Sequence, residues 1–84
     1  MGDRAIASEV ERVVRRRLDV ADGALDVSTR FVDLGADSLA VVDLTLALEE
    51  AFDIDIDEQD VEGLRTVKDA IDYVEQRIAA RRSS

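Results

Sequence analysis

The 84-residue sequence contains no cysteine, no histidine, no proline and no tryptophan, and Lys68 is its one lysine. Without cysteine there is no disulfide, no thiolate metal site and no cysteine nucleophile. Without histidine the commonest acid–base group and metal ligand is missing. No constellation of metal-ligating or triad residues takes their place, so an enzyme is not expected. No apolar run approaches the roughly eighteen residues a membrane span needs. Met1 to Leu18 is interrupted by arginine and glutamate, unlike the apolar centre of a signal peptide. A cytoplasmic location is therefore expected. The length suits one domain over 1–84. Such a chain buries about 60–65% of its unfolded surface, enough for a small core but too little to wall off a deep catalytic cleft.

Base is also missing from one segment. The formal net charge is −9, yet residues 31–64 hold eleven acids and no base, while residues 1–30 hold six acids and six bases. Nucleic acid is an unsuitable partner for such a surface. Basic protein surfaces suit it, because complementary fields speed encounter and set register. The plainer reading of the same acids is a solvated face that aids solubility.

The chain is organised around Asp33-Leu34-Gly35-Ala36-Asp37-Ser38-Leu39. Gly35 suits a turn that needs backbone angles closed to other residues. Asp37 and Ser38 are both favoured N-cap residues. Leu39 to Phe52 follows with no glycine or proline and reads as a helix. Ser38 should then stand at a helix N-terminus, where free N–H groups and the positive dipole end favour an anion. By position alone, an Asp-Ser pair before a helix is usually only a cap.

Before this stretch, Ile6, Val10, Val13, Val14 and Leu18 follow helical spacing. The arginines between them suit a solvated helix face better than a nucleic-acid contact. Asp19 to Asp37 is a long connection with turn signals at Asp22-Gly23 and Ser28-Thr29. Leu25, Val27, Phe31 and Leu34 are candidates to pin it to the core. A loop this long calls for a functional or packing reason.

In the helix after Ser38, Val41, Leu44, Leu48 and Phe52 share one face at about 100° per residue. Leu39, Val42 and Leu46 lie nearly opposite, bordered by Asp43, Glu49 and Glu50. A surface helix normally needs one apolar stripe. Two stripes mean either a helix buried all round or an exposed apolar strip with an acidic rim, which is how docking surfaces look. The alternating acids of Asp53-Ile54-Asp55-Ile56-Asp57 resemble a calcium loop, but an EF-hand would need Gly at 58 and Glu at 64. Glu58 and Leu64 stand there, so no dedicated metal site is expected. Ile54 and Ile56 should point inward. Thr66 to Asp69 has the spacing of a capping box. Val67, Ala70, Ile71, Val74 and Ile78 form the stripe of a last helix, and residues 81–84 should fray.

Asp-Leu-Gly-Ala-Asp-Ser-Leu resembles the attachment motif of acyl carrier proteins. The resemblance runs from about Phe31 to Tyr73, through Leu-Ala-Leu-Glu-Glu-Ala-Phe (46–52) and Asp-Ala-Ile-Asp-Tyr-Val (69–74). It implies an all-α fold, a small four-helix bundle with a long first loop and helices at about 3–18, 38–52, 57–62 and 66–80. It implies 4'-phosphopantetheine carried on Ser38, with Asp37 assisting its loading and helping to hold the Mg²⁺ used in that step. A phosphopantetheinyl transferase would load it from coenzyme A. The thiol would then tether acyl groups as thioesters for ketosynthase, acyltransferase and other synthase enzymes. Carried over by position, the docking residues would be Leu39, Val42, Asp43, Leu46 and Glu49, with Glu58 and Glu62 from the short helix. A monomer is expected.

Departures from the family pattern cut both ways. Ala40 stands where many fatty-acid carriers have an acid, and Asp57 stands where many have proline, which loosens the start of the short helix. The Phe-x-Asp-Leu-Gly spacing resembles polyketide carriers, whereas Leu-Glu-Glu-Ala-Phe resembles fatty-acid carriers. A peptidyl or aminoacyl carrier would use the same serine, but Ala36-Asp37 before it favours the acyl type. An acidic interaction module without a prosthetic group is the reading from a different class.

Overall fold

The computed structural model describes residues 2–20 and 25–83. Among them are four α-helices and no strand: α1 (Gly2–Leu18), α2 (Ser38–Phe52), α3 (Glu58–Val61) and α4 (Val67–Ser83). The expected Asp22-Gly23 turn lies outside the described residues. α1 packs against both α2 and α4, and α3 touches α2.

The core follows from helical periodicity. Val10 and Val14 of α1 are fully buried, as are Leu44 and Leu48 of α2 and Val67 and Val74 of α4. Val41, Phe52, Ile54 and Ile56 are partly buried against this cluster. Thr45 is also inside, and its hydroxyl donates to the Val42 carbonyl one turn back at 2.7 Å. That bond satisfies a polar group that would otherwise be costly to bury.

α1 and α2 end alike. Asp19 (φ 53°) and Asp53 (φ 54°) take left-handed backbone angles. The next residues' N–H groups, Val20 and Ile54, donate back to the Arg15 and Glu49 carbonyls at 3.1 and 3.2 Å. This is the Schellman closure, usually built on glycine, with aspartate in its place. α4 continues to Ser83, so the chain stays helical where fraying was expected. A physical reason lies in Arg81, whose guanidinium donates to the Asp53 carbonyl at 2.5 Å and reaches the Phe52 carbonyl at 3.5 Å. The end of α4 is thereby tied to the end of α2.

Residues 25–37 of the first connection carry more structure than their composition suggests. A 3₁₀ turn spans Phe31–Leu34, with Phe31 only 2% exposed. Leu25 and Leu34 pack on the core, but Val27 does not and is 44% exposed. Its backbone holds the loop instead: the Lys68 N–H donates to the Val27 carbonyl at 2.7 Å and the Val67 N–H to the Thr29 carbonyl at 3.2 Å. Phe31 N–H in turn donates to the Arg65 carbonyl at 2.9 Å. The capping box forms as spaced. Asp69 N–H donates to the Thr66 hydroxyl, and the Asp69 carboxylate accepts from Thr66 N–H, each at 3.1 Å.

α3 has no buried residue, spans only Glu58–Val61, and takes Asp57 and Glu62 as its caps rather than as members. It is held by polar contacts. The Tyr73 hydroxyl donates to Asp60 at 2.7 Å and accepts from Arg77 at 2.7 Å. Arg77 also reaches Asp57 at 3.1 Å, and its guanidinium lies 5.1 Å from the Tyr73 ring centroid. Burial, and then the bond to Asp60, push the Tyr73 phenol above its ordinary value. The segment before α3 therefore has an ionic hold where the family pattern has proline.

Leu48→Ala should cost about 2–5 kcal/mol, as truncation of a buried leucine does. Leu46, 55% exposed on the same helix, should lose no more than about 0.5 kcal/mol on the same change. Urea melts of the two variants read the difference. Tyr73→Phe should lower global stability by about 0.5–1.5 kcal/mol through loss of the shared hydroxyl. Amide exchange across residues 60–64 should quicken more than in α1, because α3 has little else to hold it.

Candidate functional site

The site grows out of the turn before α2. Gly35 sits at φ 86°, ψ 11°, in the left-handed region that a residue with a Cβ rarely enters. Its N–H donates to the Val32 carbonyl, and the Ala36 N–H to the Phe31 carbonyl, both at 3.1 Å. The reversal seats Ala36 in the core at 8% exposure and leaves the next residues outside.

Asp37 and Ser38 then take different parts. Asp37 is extended (φ −95°, ψ −174°) and is the N-cap of α2. Its carboxylate accepts from the Ala40 N–H at 2.8 Å. Ser38 is the first residue of the helix and is exposed. Among the described residues its hydroxyl has no hydrogen-bond partner. The capping work that either residue could do is done by the aspartate, and the serine oxygen is left available.

Beside Ser38 runs an open groove of about 910 Å³ between the first loop, α2 and the segment around α3. Phe31, Val41, Val42, Val61 and Leu64 supply apolar wall. Asp37, Glu62, Asp69, Arg30 and Arg65 supply charge. Of the residues singled out from sequence, Ser38, Asp37, Val42 and Glu62 meet here. Leu39 and Leu46 lie beyond it on the outer face of α2, at 78% and 55% exposure. With Val42 at 46%, the second stripe of α2 is an exposed strip and not part of a helix buried all round. Val32, 66% exposed and in the same groove wall, extends the apolar surface. Sequence reasoning passed over it, since a single valine in a loop carries no periodic signal.

The acidic rim is less uniform than composition suggests. Asp43 has Arg17 of α1 at 3.6 Å. Glu49 is half-buried, and its carboxylate accepts from the Ile56 N–H at 2.9 Å, so it latches the segment after α2. Glu58 is exposed in α3 but borders neither the groove nor the hollow that holds Arg17, Asp43, Leu46 and Glu49. Among the described residues no three metal-ligating side chains converge, including those of the Asp53–Asp57 run. Among the described residues no helix is long and apolar enough to cross a membrane.

Two comparisons bear on this arrangement. A protein-family model described as the phosphopantetheine attachment site matches residues 8–74. The crystal structure of an acyl carrier protein from Thermotoga maritima superposes with a TM-score of 0.80 at 25% sequence identity, covering 95% of this chain and 94% of that one.

Proposed function

The chain belongs to the phosphopantetheine attachment family, and from that premise we propose that Ser38 is the attachment residue of an acyl carrier protein. The fold is that of acyl carrier proteins, which are carriers rather than enzymes, and the cofactor is 4'-phosphopantetheine. When bound, that group supplies a thiol on a long flexible arm, which holds acyl groups as thioesters.

One observation carries the assignment to Ser38: Asp37 caps α2 through Ala40 N–H, so the neighbouring hydroxyl stays exposed and uncommitted at the mouth of a groove. Ser28, by contrast, bonds through both its hydroxyl and its N–H to Asp26. Ser8 stands on the exposed side of α1. A phosphodiester on Ser38 also finds free N–H groups and the positive end of a fifteen-residue helix. The Ser38 hydroxyl has no base beside it and is a poor nucleophile alone. A separate transferase must activate it, with coenzyme A as donor. Asp37, exposed next to it, assists that step and helps hold its Mg²⁺. Tethering then makes delivery to a docked enzyme effectively intramolecular.

Partner enzymes dock on Leu39, Val42 and Leu46, with Asp43, Glu58 and Glu62 steering basic surfaces into register. The exposure of the strip supports this, because the core does not use it. Glu49 serves this surface by holding the end of α2 in place. The acyl groups delivered are those of fatty-acid or polyketide synthesis.

Incubation with coenzyme A, Mg²⁺ and a phosphopantetheinyl transferase should add the mass of one arm to the wild-type protein. Ser8→Ala and Ser28→Ala should gain it equally, and Ser38→Ala should gain nothing. A labelled Ser38→Ala protein overturns the assignment. That variant should fold with a loss of about 0.5 kcal/mol or less, as exposed substitutions do.

The docking surface has its own test in loading kinetics. Asp43→Lys should slow loading several-fold at low salt and flatten its salt dependence, since a rim charge acts mainly on encounter. Val42→Asp should weaken the docked complex at every salt concentration while melting close to wild type. A melt that collapses in Val42→Asp would instead make the strip part of the core.

A further inference from the structure

In a chain of net charge −9, five bases among the described residues have a carboxylate within ion-pair distance. Arg12 has Glu9, Arg17 has Asp43, Lys68 has Asp72, Arg77 has Asp57 and Asp60, and Arg81 has Asp53. Arg16, Arg30 and Arg65 differ, and of these three only Arg30 and Arg65 lie in the groove with Ser38. Among the described residues neither has a carboxylate within ion-pair distance, and Arg65 makes only a long side-chain bond, 3.4 Å to the Glu62 carbonyl. Both line the groove that Ser38 also lines.

They are brought there by the backbone. Arg30 pairs with Thr66 in an antiparallel bridge, and the Arg65 carbonyl accepts from the Phe31 N–H at 2.9 Å. Phe31 is buried and Asp69 caps both Arg65 and Thr66 N–H at 3.1 Å. The two guanidinium stems therefore rise from a fixed platform, eight residues before Ser38 and one residue before the α4 cap. The remaining charges of the groove are acids: Asp37, Glu62 and Asp69. An anion placed on Ser38 meets three like charges there, and Arg30 and Arg65 are the bases that line the same groove.

We propose that Arg30 and Arg65 form a two-arginine clamp for the phosphodiester of the group carried on Ser38. This rests on the assignment of Ser38 above. Guanidinium is suited to the task, because its fork of donors matches phosphate oxygens and its charge persists at every physiological pH. The clamp offsets the repulsion from Asp37, Glu62 and Asp69. Release of the arm to a partner enzyme then requires breaking ion pairs that are solvent-exposed and hence salt-sensitive.

The test uses apo and holo protein made with coenzyme A and a transferase. Arginine Nε–H resonances of Arg30 and Arg65 should shift on loading, and those of Arg12 and Arg16 should not. Phosphorus-31 relaxation should show an ordered phosphodiester in wild type. In Arg30→Gln/Arg65→Gln it should show a freely moving one, as it should for wild type in about 1 M NaCl, where the Debye length falls to about 3 Å. The melting midpoint should rise on loading in wild type and lose that rise in the double variant, while the apo midpoints agree; a merely structural role would move both forms together. Unshifted arginine resonances in loaded wild-type protein overturn the clamp without need of any variant, and leave Ser38 standing. Failure of wild type to gain mass overturns the Ser38 assignment and the clamp with it.

Discussion

The N-terminus of α4 leaves backbone N–H groups that the helix itself cannot satisfy, and the long first loop supplies partners for two of them, while Thr66, just before the helix, caps a third. Val67 N–H goes to the Thr29 carbonyl, Lys68 N–H to Val27, and Asp69 N–H to the Thr66 hydroxyl. These bonds fix residues 27–31 against 65–68 in a chain that otherwise has no sheet among its described residues. Phe31, buried by the same approach, anchors the 3₁₀ turn, and the turn sets where α2 begins. The position of Ser38 is thus decided largely by how another helix closes its own end.

α2 answers to two demands. Leu44 and Leu48 complete the core, while Leu39, Val42 and Leu46 stay in water. Burying the second stripe would require another element, and the short α3, with no buried residue of its own, covers only the groove side. The apolar area left open is the kind of surface that soluble proteins keep for a partner. Around it the acids are apportioned between jobs: Asp37 caps a helix, Glu49 holds the Ile56 N–H, and Asp57 and Asp60 secure α3 through Arg77 and Tyr73. Into a segment with eleven acids and no base, Arg17, Arg77 and Arg81 reach from the flanking helices and offset part of the like-charge repulsion.

Much of this was legible beforehand, where the cause is local. The all-helical class follows from 3.6-residue periodicity and from the scarcity of breakers. The Thr66–Asp69 capping box is readable because donor and acceptor lie three residues apart. The family is readable because the motif around Ser38 is a specific word in a specific order. Other features were not legible. Val27 looked like an anchor by its hydropathy, yet the loop is held there by a carbonyl, and backbone bonding leaves no mark on side-chain identity. The persistence of α4 to Ser83 depends on Arg81 meeting Phe52 and Asp53, residues nearly thirty positions away. Glu49 looked like rim charge, and its hydrogen bond to Ile56 N–H exists only once the chain has turned at Asp53.

By itself, then, the sequence determined the helical class, the two stripes of α2, the concentration of acid behind Ser38 and the family to which the chain belongs. The first three are matters of composition or of spacing within a few turns, and the family is carried by the motif around Ser38. The tertiary structure alone decided which stripe meets water, that Asp37 rather than Ser38 caps the helix, and that Arg30 and Arg65 share a groove with Ser38. Those outcomes depend on packing and backbone pairing between segments far apart in the chain, and no local pattern encodes which of two equally suitable groups the distant partner will take.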